Sequence, residues 1–197
     1  MVLASHVIFA AYGFWLLNDP RGSWSDFVGA WELLKFGKAT PTYARRSVPD
    51  RPDDEQARLA AKEALKYPPV KFTGAQARAV GRGFAALIDK SAITVRACSI
   101  LPEHVHMVVM RHDYEVEKIV NLLKGEGTRE LVREGIHPLA RYASPGKRPP
   151  KAWARGQWKV FLDTPEDIER AVKYVEDNPV KEGLSPQSWP FVKRAEG

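Results

Sequence analysis

The chain has 197 residues, with 30 Lys and Arg against 24 Asp and Glu, giving a formal net charge of +6 and a pI near 9.4. That length suits one domain with a sizeable core, and the basic excess favours polyanionic partners. Cys98 is the single cysteine, which excludes an intramolecular disulfide and is compatible with a reducing cytoplasm.

The first apolar run is Val7 to Leu17, interrupted by Tyr12 and Gly13. It is too short to span a bilayer, and no Lys or Arg precedes it as in a secretory signal. It reads as the first, central strand of a sheet, and no membrane partner is expected. Residues 18 to 52 are rich in Gly, Pro, Trp and Arg, with a short helix expected from Ser25 to Phe36. Lys35, Lys38, Arg45, Arg46 and Arg51 outweigh Asp50 there; they read as a solvated loop, or as phosphate contacts if the partner is DNA.

Asp53 to Lys66 reads as an alanine-rich helix. Thr73 to Ile88 reads as another, capped by Thr73 and carrying Ala77, Val80, Phe84 and Leu87 on one face. Ile93 to Ile100 is the second strand and turns at Pro102 into the run from His104 to Met110, so the two should pair as an antiparallel hairpin. Side chains alternate across a strand, so His104 and His106 face one surface together and can grip a metal. A lone strand histidine is ordinarily a satisfied packing residue; a second constellation is needed to decide.

Glu115 to Arg133 reads as a helix built on Val116, Ile119, Val120, Leu122, Leu123, Leu131 and Val132, which Gly125 and Gly127 should break or bend. From Arg141 to Lys159 there are six basic residues and no acidic one, interleaved with Tyr142, Trp153 and Trp158. This is either a Pro-rich mobile linker with core tryptophans, or a surface where cations meet phosphates and aromatic faces stack on unpaired bases. Gln157 to Asp163 forms the last strand, with Trp158, Val160 and Leu162 alternating inward.

The final helix has Thr164 as N-cap, Pro165 at its first position, acidic residues in the first turn and Pro179 to end it. Ile168, Ala171, Val172 and Val175 form its packing stripe, and Tyr174 and Asn178 lie one turn apart on the flank. The element order matches an α+β fold: a ferredoxin-like or RRM-like antiparallel sheet of four to five strands, with helices packed mainly on one face.

The run Pro102-Glu103-His104-Val105-His106, followed far downstream by a helix ending Tyr174-Val175-Glu176-Asp177-Asn178-Pro179-Val180-Lys181-Glu182-Gly183-Leu184, resembles the single-tyrosine HUH transposases. It is most similar to the branch called REP-associated tyrosine transposases. The resemblance implies the same fold, a single HUH transposase-like domain over 1–197 with an inserted region at about 18–70, and a basic linker at about 137–156. It also implies that His104 and His106 hold a divalent metal, Mg2+ or Mn2+, and that Tyr174 is the nucleophile. Asn178 stands where insertion-sequence relatives carry a glutamine as third ligand, so its carbonyl is a candidate ligand and a helix C-cap is the other reading.

Leu122-Leu123-Lys124-Gly125, followed by Thr128-Arg129, resembles a further family run, in which Lys124 and Arg129 would add positive charge near the site. With Lys147, Arg148, Lys151, Trp153 and Arg155 they form the expected DNA-binding set. The implied activity is a single-strand DNA endonuclease and strand transferase with a 5′-phosphotyrosine intermediate, acting on single-stranded or hairpin DNA as a monomer or homodimer. A tyrosine hydroxyl, with an ordinary pKa of about 10, needs help to attack phosphorus, which the cation would give. The competing readings are a DNA-binding protein of the same fold without cleavage, and a histidine-metal hydrolase unrelated to DNA.

Overall fold

The computed structural model describes residues 1–16, 31–36 and 55–193. The second half of the expected 18–52 region, including Lys38, Arg45, Arg46 and Arg51, lies outside the described residues, as do Leu17 and the first part of the helix expected at Ser25. What is described of that region is a 3-10 helix, Trp31–Phe36, and α1, Glu55–Glu63. Leu16, Leu33 and Ala61 bury against one another, with Phe36 and Leu65 alongside.

Strands β1 (Ala4–Ala10), β2 (Val95–Ile100), β3 (His104–Met110) and β4 (Trp158–Leu162) form one antiparallel sheet in the order β2-β3-β1-β4. β1 starts three residues before the expected Val7 and stops at Ala10. It stops there because the chain turns through Tyr12 and Gly13: Gly13 has φ +79°, and a Cβ on it would lie 2.9 Å from Leu65 and Pro69. β2 and β3 pair as the expected hairpin, and β3 is also paired with β1 along its whole length, from Ala4↔Met110 to Ala10↔His104.

Alternation along β3 divides the molecule. Val105, Met107 and Val109 face the main core, where they meet α2 (Gly74–Ser91) and α3 (Val116–Arg133). Val108 faces the other way, with Ala4, Ala97 and Leu162, and is covered by Ile168, Ala171 and Val175 of α4 (Pro165–Lys181). Among the described residues, α2 and α3 therefore lie on one face and α4 on the histidine face. Thr73 caps α2 through a reciprocal pair of bonds with Gln76 (3.3 and 2.9 Å), and Thr164 accepts from Asp167 N at the start of α4.

Two helix boundaries differ from expectation. α3 passes through Gly125 and Gly127 unbroken, because the small residue at 127 serves helix packing: its site faces Phe84 and Val80, and across the same seam a Cβ at Gly83 would lie 2.6 Å from the Glu126 carbonyl oxygen. α4 continues past Pro179 to Lys181. Proline removes the N–H that Val175 O would accept, yet Glu182 N still reaches Asn178 O and Pro179 O, and Leu184 N closes on Pro179 O at 2.8 Å.

The outer edge of β2 is covered by the C-terminal segment. Gln187 bonds both the N–H and the carbonyl of Ile100 (2.8 and 2.9 Å), and Val192 makes a parallel bridge with Val95. Among the described residues, no helix is long and apolar enough to cross a membrane.

The glycines give opposed expectations for two alanine substitutions. Gly83→Ala should force α2 and α3 apart and cost about 1–3 kcal/mol. Gly125→Ala meets nothing closer than Arg129 at 4.0 Å and should gain up to about 1 kcal/mol from helix propensity. Urea denaturation of both variants checks this, and a neutral Gly83→Ala would show that the seam is not tight.

Candidate active site

His104 and His106 project from the start of β3 toward α4, both nearly buried, with ring centroids 4.8 Å apart. His106 pairs with Ile8 of β1 and Ser99 of β2, while His104 pairs with Ala10 of β1 and its carbonyl accepts from Leu101 N at 2.9 Å. Phe14, which follows the Gly13 turn, stacks on His104 at 4.9 Å with the rings 8° from parallel. The buried stripe of α4 sets that helix on the sheet so that Tyr174 falls at its flank, 45% exposed and edge-on to His106 at 5.6 Å. Asn178, one turn further on, is buried. Lys181 lies over the Tyr174 ring, 4.9 Å from its centroid.

His6 and Glu182, to which sequence reasoning gave no role, join the site, together with Trp158, which it read as a strand or stacking residue. His6 of β1 lies on the same face, with Nε2 3.1 Å from Nδ1 of His106, and is edge-on to Tyr174 at 5.7 Å. Trp158 of β4 flanks His6 at 6.3 Å. Glu182, just past the end of α4, brings a carboxylate oxygen within 3.8 Å of His104 Nε2. A lone histidine in an apolar strand carries no sequence signal; the β1–β3 register is what brings His6 to the pair.

Burial controls the charge of these groups. It lowers His6 to about 4, lowers His104 to about 4 against the opposing pull of Glu103, and lowers His106 to about 2, where His104 and His6 add to the effect. All three are neutral near pH 7, so the His104–Glu182 approach is a polar contact rather than an ion pair. Glu182 itself is raised by partial burial and by the charge of Glu103.

The donor set fits a divalent cation. Neutral imidazoles offer lone pairs, and the Asn178 amide offers an oxygen. Ser99 Oγ and His104 Nδ1 are buried with no hydrogen-bond partner among the described residues, which is costly in a site with nothing to bind. Among the described residues, no three His, Cys, Asp or Glu side chains are grouped to hold a metal by themselves. Two imidazoles and one amide would therefore need water or phosphate oxygens to complete the shell, as hard cations accept.

The expected DNA-binding set divides. Lys147, Arg148, Lys151 and Arg155 are exposed. Arg129 is exposed and paired with Glu126 on the surface of α3, Nε to Oε2 at 2.8 Å. Lys124 is buried on the α3 side of the sheet. Its ammonium donates to the carbonyls of Ala154 (3.0 Å) and Gly156 (2.5 Å), and burial lowers its pKa to about 8; it acts as a strut for that segment.

Trp153 is a core residue, with ring centroids 4.9 Å from Phe72 and 5.6 Å from Phe9. Around it the segment expected as a linker is tied to β1, through Tyr12 N to Ala152 O and Ala154 N to Ala10 O. Nearby, Tyr12, Tyr67 and Tyr142 form a row at 6.2 and 5.4 Å, with Lys66 and Arg141 over its rings.

A sequence profile of the family described as "Transposase IS200 like" matches residues 65–178, more than half of the chain. The chain belongs to the IS200-like transposase family. The match contains His104, His106, Tyr174 and Asn178; His6 lies before it. In fold, this IS200-like transposase is similar to a REP-associated tyrosine transposase solved bound to a REP hairpin, at 14% identity and a TM-score of 0.50, covering 96% of this chain and 74% of that one. A candidate transposase from Deinococcus radiodurans superposes at a TM-score of 0.40 and 11% identity, over 90% of this chain and 91% of that one. No curated protein matches the chain in sequence.

The histidine cluster sets an acid limit on stability. Unfolded histidines take up protons near pH 6.5, whereas the folded ones resist until far lower pH, so the unfolded state binds more protons as pH falls. Stability is complete above about pH 6.5 and declines from there toward pH 4. Melting of metal-free protein across this range should show the decline, and His6→Gln should make it shallower. A flat profile would contradict the burial of neutral histidines.

Proposed function

We propose that this IS200-like transposase is a metal-dependent single-strand DNA endonuclease and strand transferase that forms a 5′-phosphotyrosine through Tyr174 on hairpin or repeat DNA. The observation that carries this reading is the half-exposed Tyr174 ring held 5.6 Å from His106, on the sheet face that carries the two β3 histidines. A divalent cation, Mg2+ or Mn2+, held by His104, His106 and the Asn178 oxygen would polarise the scissile phosphate and offset the charge developing on it.

The chain's own residues do the rest. Tyr174 Oη loses its proton and attacks phosphorus, the bond from phosphorus to the 3′ oxygen breaks, and that oxygen takes up a proton as a free 3′ hydroxyl. The 5′ phosphate is then esterified to Tyr174. One phosphoester has replaced another, so a different 3′ hydroxyl can reverse the step and join a new end. Lys181, over the Tyr174 ring, adds positive charge where the phosphate must approach. The exposed cations from Lys147 to Arg155, and the Tyr12, Tyr67 and Tyr142 row, supply phosphate contacts and stacking faces for an unpaired strand. The REP hairpin held by the structurally similar transposase supports hairpin DNA as the substrate.

Labelled single-stranded hairpin oligonucleotides, incubated with wild type or Tyr174→Phe in Mn2+, Mg2+ or chelator, test the reading on a denaturing gel. Wild type should give a metal-dependent, protease-sensitive shifted band, and Tyr174→Phe none while still binding DNA. Tight, salt-sensitive binding with no cleavage across a broad oligonucleotide pool would instead establish a DNA-binding protein that does not cut.

The two classes of lysine separate in a salt titration. Each alanine substitution at Lys147, Arg148, Lys151 or Arg155 that removes a phosphate contact should reduce the slope of log affinity against log salt by about 1. Lys124→Met should leave that slope unchanged. A reduced slope in Lys124→Met would place its ammonium on the DNA.

A further inference from the structure

The contact between His6 and His106 gives the site a component outside the matched family span. His6 is nearly buried, and its backbone is fixed on both sides, paired with Val108 of β3 and Val160 of β4. Its ring is stacked over His106 at 5.3 Å, with the planes 28° apart, and Tyr174 and Trp158 close around it. At 3.1 Å, His6 Nε2 and His106 Nδ1 must share a proton, since two lone pairs cannot face each other at that distance.

Two arrangements satisfy this contact. If His6 donates, His106 carries its own proton on Nε2 and has no free lone pair. If His106 donates from Nδ1, its Nε2 lone pair is free. Ligating histidines ordinarily give their second ring N–H to an acceptor that fixes tautomer and orientation.

We propose that His6 is a positioning residue: it accepts the Nδ1–H of His106 and thereby fixes His106 in the tautomer whose Nε2 lone pair is available to the cation. This rests on the reading that His106 holds that cation. His6 does not ligate, because its Nε2 lone pair is committed to the His106 N–H and the neutral ring then carries its own proton on Nδ1. Its rigid seat on β1 also stops the His106 ring from turning and braces the edge of Tyr174.

The test is manganese binding by the full chain, measured by isothermal titration for wild type, His106→Ala, His6→Leu and His6→Gln. It is joined by nitrogen NMR of the histidine tautomers in metal-free wild type. Leucine fills the space without an acceptor; the glutamine side-chain oxygen can accept the same proton. The expected result is a loss of about 10–100-fold in affinity for His6→Leu, near wild-type affinity for His6→Gln, and an Nδ1–H tautomer at His106.

Wild-type affinity in a folded His6→Leu would overturn the proposal, as would an Nε2–H tautomer at His106. If His6→Leu does not fold, the wild-type tautomer decides. A wild type that binds no manganese would overturn the cation reading instead, and the tautomer would still report on the His6–His106 contact.

Discussion

Strand β3 is hydrogen-bonded along both edges, and its odd-numbered side chains are locked into the apolar core under α2 and α3. A slip of one residue would turn His104 and His106 into that core and Val105, Met107 and Val109 out of it. The cost of burying imidazoles among valines and phenylalanines fixes the register, and the register fixes the site. The position of His6 beneath His106, the stacking of Phe14 on His104 and the placement of Ser99 beside His106 all depend on it.

The second constraint is the seating of α4. Its buried stripe covers Val108, Ala97 and Leu162, and with the helix start set by the Thr164 cap this fixes both rotation and height. Tyr174 then falls on the flank that overlooks His6 and His106, with Asn178 one helical turn further on. Pro179 and the closing bonds from Glu182 to Leu184 turn the chain at that point, which brings Lys181 over the tyrosine ring and Glu182 beside His104.

Much of this was legible in the sequence because local rules and global packing agree. The His-x-His alternation, the caps at Thr73 and Thr164, and the hairpin through Pro102 are all local signals that the structure keeps. Gly125 and Gly127 misled because helix propensity is a local preference, whereas the seam at Gly83 is a contact between residues 43 apart in sequence, where close backbone approach outweighs it. Trp153 sits among cations and prolines, yet its ring belongs with Phe9, Phe72 and Phe84. His6 was invisible because its significance exists only across the β1–β3 register. Lys124 carries the charge a DNA contact needs, but α3 lies on the face away from the histidines, where its ammonium meets backbone carbonyls.

The central claim is that the face shared by β3 and α4 makes Tyr174 a covalent nucleophile toward DNA. The most direct measurement is peptide mass spectrometry of wild-type protein digested with trypsin after reaction with a single-stranded hairpin oligonucleotide in manganese. The account predicts nucleotide mass on the peptide that begins at Tyr174 and ends at Lys181. Cleaved DNA with unmodified protein, or an adduct on any other residue, would contradict it.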